Sequence, residues 1–123
     1  MRGNKKRVDK VKDFESVDRQ AYQYFNSWAK KDLESLSDQF SEDVVLLDWE
    51  VLAVGKQKVL EANENIFQAF KNLSINVCKL SSREDTVFAQ IEILADGTVI
   101  PVVDVLEFNS EGKIQKIRAY RGN

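Results

Sequence analysis

The chain of 123 residues is 43% apolar and 31% charged, with five glycines and one proline, so it is predicted to form one globular domain and is neither disordered nor collagen-like. No stretch approaches the roughly 18 consecutive apolar residues of a membrane-spanning helix, and the N-terminus lacks the apolar core of a signal peptide, so we expect a cytoplasmic protein that binds no membrane. The net charge is −2, and no basic stripe follows the body of the chain, so we expect no nucleic-acid partner.

The chain has one cysteine, Cys78, and no histidine. A single cysteine excludes an internal disulfide and a multi-cysteine metal site, and the lack of histidine excludes Ser-His-Asp and Cys-His catalysis and any histidine-ligated metal. Acid–base chemistry therefore falls to carboxylates, tyrosines or lysines. Cys78 itself lies within a predicted strand, where we expect a small core residue.

The positive charge is concentrated at the N-terminus. Residues 1–12 hold six of the 18 basic residues and one of the 20 acidic residues, which leaves the rest of the chain with a net charge of −7. A basic tail without aromatic residues is typical of a solvated terminus, although such a tail can bind nucleic acid or anionic lipid. We predict a frayed tail over residues 1–12 and a single domain over residues 13–123.

Three helices are predicted in the first part of the chain. Apolar and aromatic residues recur every three or four positions from Phe14 to Trp28, which marks one face of a helix. Asp32 has the position of an N-cap for a short second helix. Gly55 interrupts the chain before a third helix, whose apolar face extends to Phe70.

One strand is predicted before the third helix, and four longer strands follow it. The longer strands are separated by turn signals, of which Asp96-Gly97 is typical of a two-residue hairpin. The predicted strands are Val44–Trp49, Ile75–Leu80, Thr86–Leu94, Val99–Phe108 and Lys113–Arg121. The helices come mostly first and a meander of strands comes last. This order predicts an α+β fold, with the helices on one face of a curved antiparallel sheet.

The turn signals also predict the register of the last three strands. A two-residue turn at Asp96-Gly97 and a four-residue loop over 109–112 place Asp104 opposite Ala89 on one side and Ile117 on the other. This register puts a carboxylate inside an apolar sheet face. The other members of that face are Ile91, Ile93, Ile100, Val102, Leu106 and Phe108.

Asp104 has two interpretations. Its nearest basic neighbour, Arg118, is predicted on the opposite face of the sheet, so a buried Asp104 would take up a proton and become a hydrogen-bond donor. Alternatively, Pro101 introduces a bulge that reverses the faces of the strand, and Asp104 points to solvent.

Two further polar residues fall on apolar faces. Asp48 shares the face of Val44 and Leu46, although an Asp at a strand end often only turns the chain. Tyr24 precedes Trp28 by one helical turn on the apolar face of the first helix, and by itself would be a core residue. Two acids and a phenol that face one interior indicate a site more strongly than any one of them.

Several short motifs follow one another in a recognisable order. Asp32-Leu33 opens the short helix, Phe40–Val45 (FSEDVV) leads into a strand, Gly55 precedes the third helix, and Phe108–Ile114 (FNSEGKI) lies near the end. Over roughly residues 14–122 this arrangement resembles the nuclear transport factor 2-like superfamily, and within it the ketosteroid isomerase-like and SnoaL-like branches. The resemblance implies a cystatin-like cone, in which the curved sheet is wrapped by three N-terminal helices around a small-molecule pocket.

The resemblance extends to three site residues. In ketosteroid isomerases a tyrosine lies sixteen residues before the Phe of a Phe-Ala-Asp-Asp type motif, and the general base lies eight residues after that Phe. Counted from Phe40, these spacings give Tyr24 and Asp48. A second oxyanion-binding Asp precedes Phe-Asn by three intervening residues, which gives Asp104. The chain departs from the pattern at Trp49, where proline usually follows the base, and near Asn63, where an auxiliary tyrosine is expected.

These matches imply a cofactor-free isomerase that moves a proton next to the ketone of a small apolar ligand. Asp48 would be the base, and Tyr24 and a protonated Asp104 would hold the oxyanion, without any metal. The predicted pocket is lined by Trp28, Trp49, Ala89, Ile91, Val102, Leu106 and Ile117. The resemblance further implies a homodimer through the outer face of the sheet, where Val103, Val105 and Tyr120 are expected.

Two other functions fit the same sequence. A non-catalytic binding or dimerisation module is favoured if Trp28, Trp49 or Phe67 fills the cavity. A related cyclase or hydrolase would use the same acids, and an epoxide hydrolase would need an arginine between them.

Overall fold

The computed structural model describes residues 17–123, so the predicted basic tail lies outside the described residues. Three helices cover one face of a curved six-stranded sheet with the strand order β2-β1-β6-β5-β4-β3. The elements are α1 (17–29), α2 (Leu33–Gln39), β1 (Phe40–Leu47), β2 (Leu52–Val54), α3 (Lys56–Ala69), β3 (Leu73–Arg83), β4 (Thr86–Ala95), β5 (Thr98–Phe108) and β6 (Ile114–Arg121). The predicted α+β cone is confirmed. No helix within 17–123 is long and apolar enough to cross a membrane.

The sheet is mixed, whereas the sequence predicts a purely antiparallel sheet. β1 lies parallel to β6, with Leu46 beside Ile117. Turn signals reveal only strands that a hairpin joins, and one helix and four strands separate β1 from β6 along the chain. The edge strand β2, which pairs with β1 through Leu47 and Leu52, is also missing from the prediction because three residues show no clear alternation.

Side chains fix the ends of the helices. The Asp32 carboxylate accepts a hydrogen bond from the Ser35 N–H at 3.0 Å and caps α2, as predicted. Lys31, in the left-handed conformation at φ 59°, follows α1. Its Nζ donates to the carbonyl oxygens of Phe70 at 2.5 Å and Lys71 at 3.2 Å. This contact joins the C-terminal ends of α1 and α3, whose last carbonyls have no partner within a helix.

The hairpin between β4 and β5 has the predicted two-residue turn. Asp96 and Gly97 have φ values of 48° and 88°, which match the twist of the flanking strands. The register continues without a shift to Asp104, which lies opposite Ala89 as predicted. Pro101 therefore introduces no bulge between these two strands, and the solvent-facing interpretation of Asp104 is wrong.

The predicted register between β5 and β6 is wrong by two residues. Asp104 lies opposite Ala119 and not opposite Ile117, because Phe108 pairs with Ile114 and not with Lys113, and a bulge between Glu107 and Phe108 shifts the pairing by one residue more. A loop length read from the sequence contains no sign of such a bulge. A shift of two residues preserves the faces, so Arg118 stays on the outer face as predicted.

The expectation that Cys78 is a core residue is also wrong, because its side chain is exposed. Val77 pairs with Ile91 and Lys79 with Gln90, so Cys78 is the extra residue of a bulge in β3. The bulge reverses the alternation, and the next inward position belongs to Leu80.

We predict that the Asp96 carboxylate stabilises the segment that leads from α3 into β3. It accepts hydrogen bonds from the backbone N–H groups of Asn72 at 2.7 Å and Lys71 at 3.2 Å. Replacing Asp96 with alanine should lower the free energy of unfolding in urea by about 1–3 kcal/mol, since both bonds are lost. The matched control is Asp85→Ala, because within residues 17–123 the Asp85 carboxylate accepts a hydrogen bond only from the adjacent Thr86. An equal loss in both variants would contradict this role.

Candidate active site

A cavity of about 250 Å³ lies between the helices and the inner face of the sheet. Most of its wall is apolar, and α1, α3, the β1–β2 turn and strands β3 to β6 all contribute to it. Among the predicted lining residues, Trp28, Trp49, Ile91, Val102 and Ile117 line the cavity.

Ala89 and Leu106 are fully buried and do not line the cavity. On β5 the lining residues end at Asp104, and the interior beyond it is filled by large buried side chains that include Phe40 and Phe108. The face parity of a strand shows that a residue points inward, but it does not show where the packed interior begins.

Asp104 projects from the inner face of β5 at the floor of this cavity. Its side chain is buried between Val102 and Leu106, and no basic group within residues 17–123 forms an ion pair with it. Burial, reinforced by the negative charge of Asp48, raises the pKa of the Asp104 carboxyl from 3.8 to about 7. The protonated carboxyl is a hydrogen-bond donor that points into an apolar space.

Tyr24 enters the same cavity from α1. Its ring is buried against Phe25 and Phe40, with centroids 5.4 and 6.2 Å apart, and this packing fixes the direction of the phenol. Burial and the nearby carboxyl groups of Asp104 and Asp48 raise the pKa of the Tyr24 hydroxyl well above its usual value. The hydroxyl therefore stays protonated and is a second donor.

Asp48 follows the last residue of β1 and has two roles. Its Oδ1 accepts hydrogen bonds from the backbone N–H groups of Glu50 at 2.8 Å and Val51 at 2.7 Å, so it does turn the chain, as one interpretation of the sequence holds. The residue also lines the cavity. Its Oδ2 accepts no hydrogen bond from residues 17–123, so one oxygen orients the carboxylate and the other remains available to a ligand.

The structure thus brings Tyr24, Asp48 and Asp104 together around one cavity. The electrostatic influence of Asp48 on the pKa values of both other groups shows that the three interact. One carboxylate and two neutral O–H donors form an arrangement that can remove a proton and hold the oxyanion that results. Within residues 17–123, no three side chains of the metal-binding types are grouped so that they could hold a metal ion.

Three polar residues that line the cavity are missing from the predicted pocket: Asn63, Arg121 and the exposed Glu50 of the β1–β2 turn. Asn63 is buried on α3, where its Oδ1 accepts the indole N–H of Trp28 at 3.0 Å. Arg121 lies at the mouth, with its guanidinium 5.8 Å from the centroid of the Trp49 ring. The face parity of β6 could have indicated Arg121, because it continues the inward series of Ile117.

We predict that the free energy of unfolding decreases as the pH rises from about 4 to about 7, because Asp104 keeps its proton in the folded state at pH values where the unfolded chain has lost it. Above about pH 7 this contribution should be constant. Carbon-13 NMR of the labelled carboxyl group should show a midpoint near 7. Asp104→Asn should remove this part of the pH dependence, and a carboxyl that titrates near 3.8 would contradict the prediction.

Comparison with known proteins gives a family match and many similar structures. Residues 21–117 match the SnoaL-like domain family, and a search of curated proteins found no match. A candidate ketosteroid isomerase from Kribbella flavida is 17% identical, with a TM-score of 0.79 over 90% of this chain and 81% of that chain. A candidate SnoaL-like polyketide cyclase from Jannaschia sp. CCS1 is 13% identical, with a TM-score of 0.78 over 89% of this chain and 87% of that chain.

A third similar structure holds a small molecule. This protein from Catenulispora acidiphila has a ketosteroid isomerase-like fold and is in complex with trimethylamine; it is 15% identical, with a TM-score of 0.73 over 82% of this chain and 83% of that chain. At such identities these structures show that the fold is shared, and a shared fold does not establish a shared activity. The family match shows that the chain belongs to the SnoaL-like domain family, and the similar structures show that it has the nuclear transport factor 2-like fold.

Proposed function

We propose that the protein is a cofactor-free isomerase of the ketosteroid isomerase type, which moves a proton next to the carbonyl of a small apolar substrate. The observation that carries the proposal is the pairing of unlike acids in one cavity. Asp104 is buried without a cation, which raises the pKa of its carboxyl to about 7, whereas Asp48 is oriented by two backbone N–H groups at the turn. Two acids in such different environments are suited to opposite tasks.

The proposed reaction has two proton transfers. The Asp48 carboxylate takes a proton from the carbon next to the carbonyl, and the electron pair of the broken C–H bond moves to the carbonyl oxygen. The O–H groups of Tyr24 and Asp104 hold the resulting enolate, and an apolar wall strengthens both interactions. The proton held by Asp48 then returns to another carbon of the conjugated system, which gives the isomer.

The size of the cavity supports a compact substrate. Its volume of about 250 Å³ lies slightly below the range of about 300–1,000 Å³ that is common for ligand pockets. Its aliphatic and aromatic wall favours a largely hydrocarbon ligand. A small enolisable ketone meets both conditions better than a ligand of steroid size.

A cyclase is the second candidate, supported by structural neighbours that are named as candidate polyketide cyclases. The same three groups would stabilise an enolate that attacks a second carbonyl carbon within one molecule. An epoxide hydrolase has less support. Arg118 lies on the outer face, and Arg121 forms no ion pair with Asp48 or Asp104 within residues 17–123.

The non-catalytic binding module is disfavoured by the open cavity. Trp28 and Trp49 form part of its wall without filling it, and Phe67 packs edge-on against Trp28 at a centroid distance of 5.4 Å. A cavity that reaches Asp48 and Asp104 together supports an enzyme.

The experiment that tests the proposal separates the base from the two donors. Asp48→Asn keeps the shape of the side chain but removes the basic oxygen, so it should lower the exchange of deuterium from D₂O into enolisable ketones by about 100- to 10,000-fold. The same variant should still bind phenols, which imitate the enolate. NMR would follow exchange across a panel of β,γ-unsaturated and saturated ketones.

The donor variants should behave differently. Tyr24→Phe and Asp104→Leu each remove one oxyanion donor, so they should weaken phenol binding and lower exchange by about 100- to 1,000-fold. Asp43→Asn is the matched control, because Asp43 is an exposed carboxylate on β1, the strand that ends directly before Asp48. Equal exchange in wild type and Asp48→Asn, together with no phenol binding by either, would leave the non-catalytic module as the explanation.

We further propose that two copies pair through the outer face of the sheet. Phe88, Val103 and Tyr120 are 45%, 40% and 53% exposed on this face. They are contiguous, since Val103 lies opposite Tyr120 and Phe88 opposite Val105 on neighbouring strands. An apolar patch across three strands is suited to a self-complementary contact of at least about 1,200 Å².

Sedimentation at micromolar concentration should show twice the chain mass. Val103→Asp should convert the dimer to a monomer, because a two-fold contact would bury two carboxylates close together. The control is Val54→Asp, since Val54 is 62% exposed on the edge strand β2, away from the patch. A wild-type monomer, or dissociation by both variants alike, would contradict the proposed contact.

A further inference from the structure

The Asn63 side chain is a fixed polar group in the wall of an otherwise apolar part of the cavity. It is 3% exposed, and it projects from the face of α3 that lines the cavity. The indole N–H of Trp28 can only donate, so the atom of Asn63 that lies 3.0 Å from it must be the amide oxygen. The amide nitrogen is thereby assigned, and it donates to the Val59 carbonyl at 3.0 Å.

One N–H group of the Asn63 amide has no hydrogen-bond partner within residues 17–123. A primary amide nitrogen carries two N–H groups, and the Val59 carbonyl engages one of them. Within residues 17–123, no acceptor engages the other. A buried N–H without a partner is costly, so a ligand that fills the cavity with hydrocarbon at this point loses affinity. A ligand that places an oxygen there gains a hydrogen bond.

The position of this donor differs from that of the oxyanion-binding groups. Trp28, which holds Asn63, lies one helical turn from Tyr24 on α1, about 6 Å along the helix axis. No hydrogen bond joins Asn63 to Tyr24 or Asp104 within the described residues. The amide is engaged by Trp28 and Val59 and by neither oxyanion-binding group, so it is free to meet a part of the ligand other than the oxygen held by Tyr24 and Asp104.

We infer that Asn63 is a specificity-determining residue that binds a second oxygen of the substrate, apart from the carbonyl that is enolised. This inference rests on the proposed function, because the first oxygen is assigned to Tyr24 and Asp104. The substrate class is a compact enolisable ketone with a further carbonyl, ether or hydroxyl group. A site with a built-in donor discriminates strongly against an analogue that lacks the matching oxygen.

The test uses naphthols, whose phenolic oxygen imitates the enolate. Each dihydroxynaphthalene is compared with the methylnaphthol that carries a methyl group in place of the second hydroxyl, so the two ligands have nearly the same shape. Calorimetry gives the dissociation constant of every pair. In an apolar wall the methyl compound should bind more tightly at most positions, whereas at the position that meets Asn63 the hydroxyl compound should bind about three- to tenfold more tightly.

Two variants and one spectrum assign this preference to Asn63. Asn63→Leu should abolish it, and the control Asn65→Leu should retain it, because Asn65 is an exposed residue of the same helix. In wild type, one side-chain N–H resonance of Asn63 should move downfield with the preferred dihydroxynaphthalene and stay in place with its methyl partner. This measurement remains available if Asn63→Leu does not fold.

The outcomes separate this inference from the proposed function. If wild type binds naphthols but prefers no hydroxyl compound, or if Asn63→Leu keeps the preference, the role of Asn63 is overturned and the isomerase proposal stands. If Asn63→Leu weakens both members of each pair equally, the amide serves only to hold Trp28, and the inference is again overturned. If no naphthol binds wild type, the proposed function fails and the inference fails with it.

Discussion

The site depends on one physical constraint, the burial of the Asp104 carboxyl in an apolar interior without a cation. Charged carboxylates are strongly disfavoured in such surroundings, so the pKa of this carboxyl rises to about 7. The inner faces of β4, β5 and β6 supply the apolar wall, and α1 adds the phenol of Tyr24. A sheet with one solvated face could not maintain this environment, which explains why the helices have to cover its inner side.

Asp48 is held in a different way from Asp104. Two backbone N–H groups of the β1–β2 turn hold its Oδ1, so the turn that ends β1 also orients the carboxylate. Its charge in turn raises the pKa values of Tyr24 and Asp104. The Asp48 side chain therefore links the geometry of the turn to the cavity. The sequence leaves open whether Asp48 turns the chain or belongs to a site, and in the structure it both turns the chain and lines the cavity.

The helices and most strands follow from local signals. Apolar spacing predicts α1 and α3, the N-cap at Asp32 predicts α2, and Asp96-Gly97 predicts the β4–β5 register that places Asp104 opposite Ala89. Bulges do not follow from such signals, because an extra residue in a strand leaves the apolar composition unchanged. Bulges therefore leave Cys78 exposed and contribute to the position of Asp104 opposite Ala119.

The sequence alone determined that Tyr24, Asp48 and Asp104 share faces with apolar residues, since the faces of a helix or strand repeat with a fixed period. It also determined that any acid–base chemistry must use carboxylates, tyrosines or lysines, since histidine is absent. Only the tertiary structure decided that a cavity remains beside Asp104, that Ala89 and Leu106 lie in packed interior, and that Asn63 and Arg121 reach the cavity wall. These outcomes depend on how α3 and the parallel β1–β6 pair fill space across the cone, and contacts between segments far apart in the chain leave no periodic pattern in the sequence.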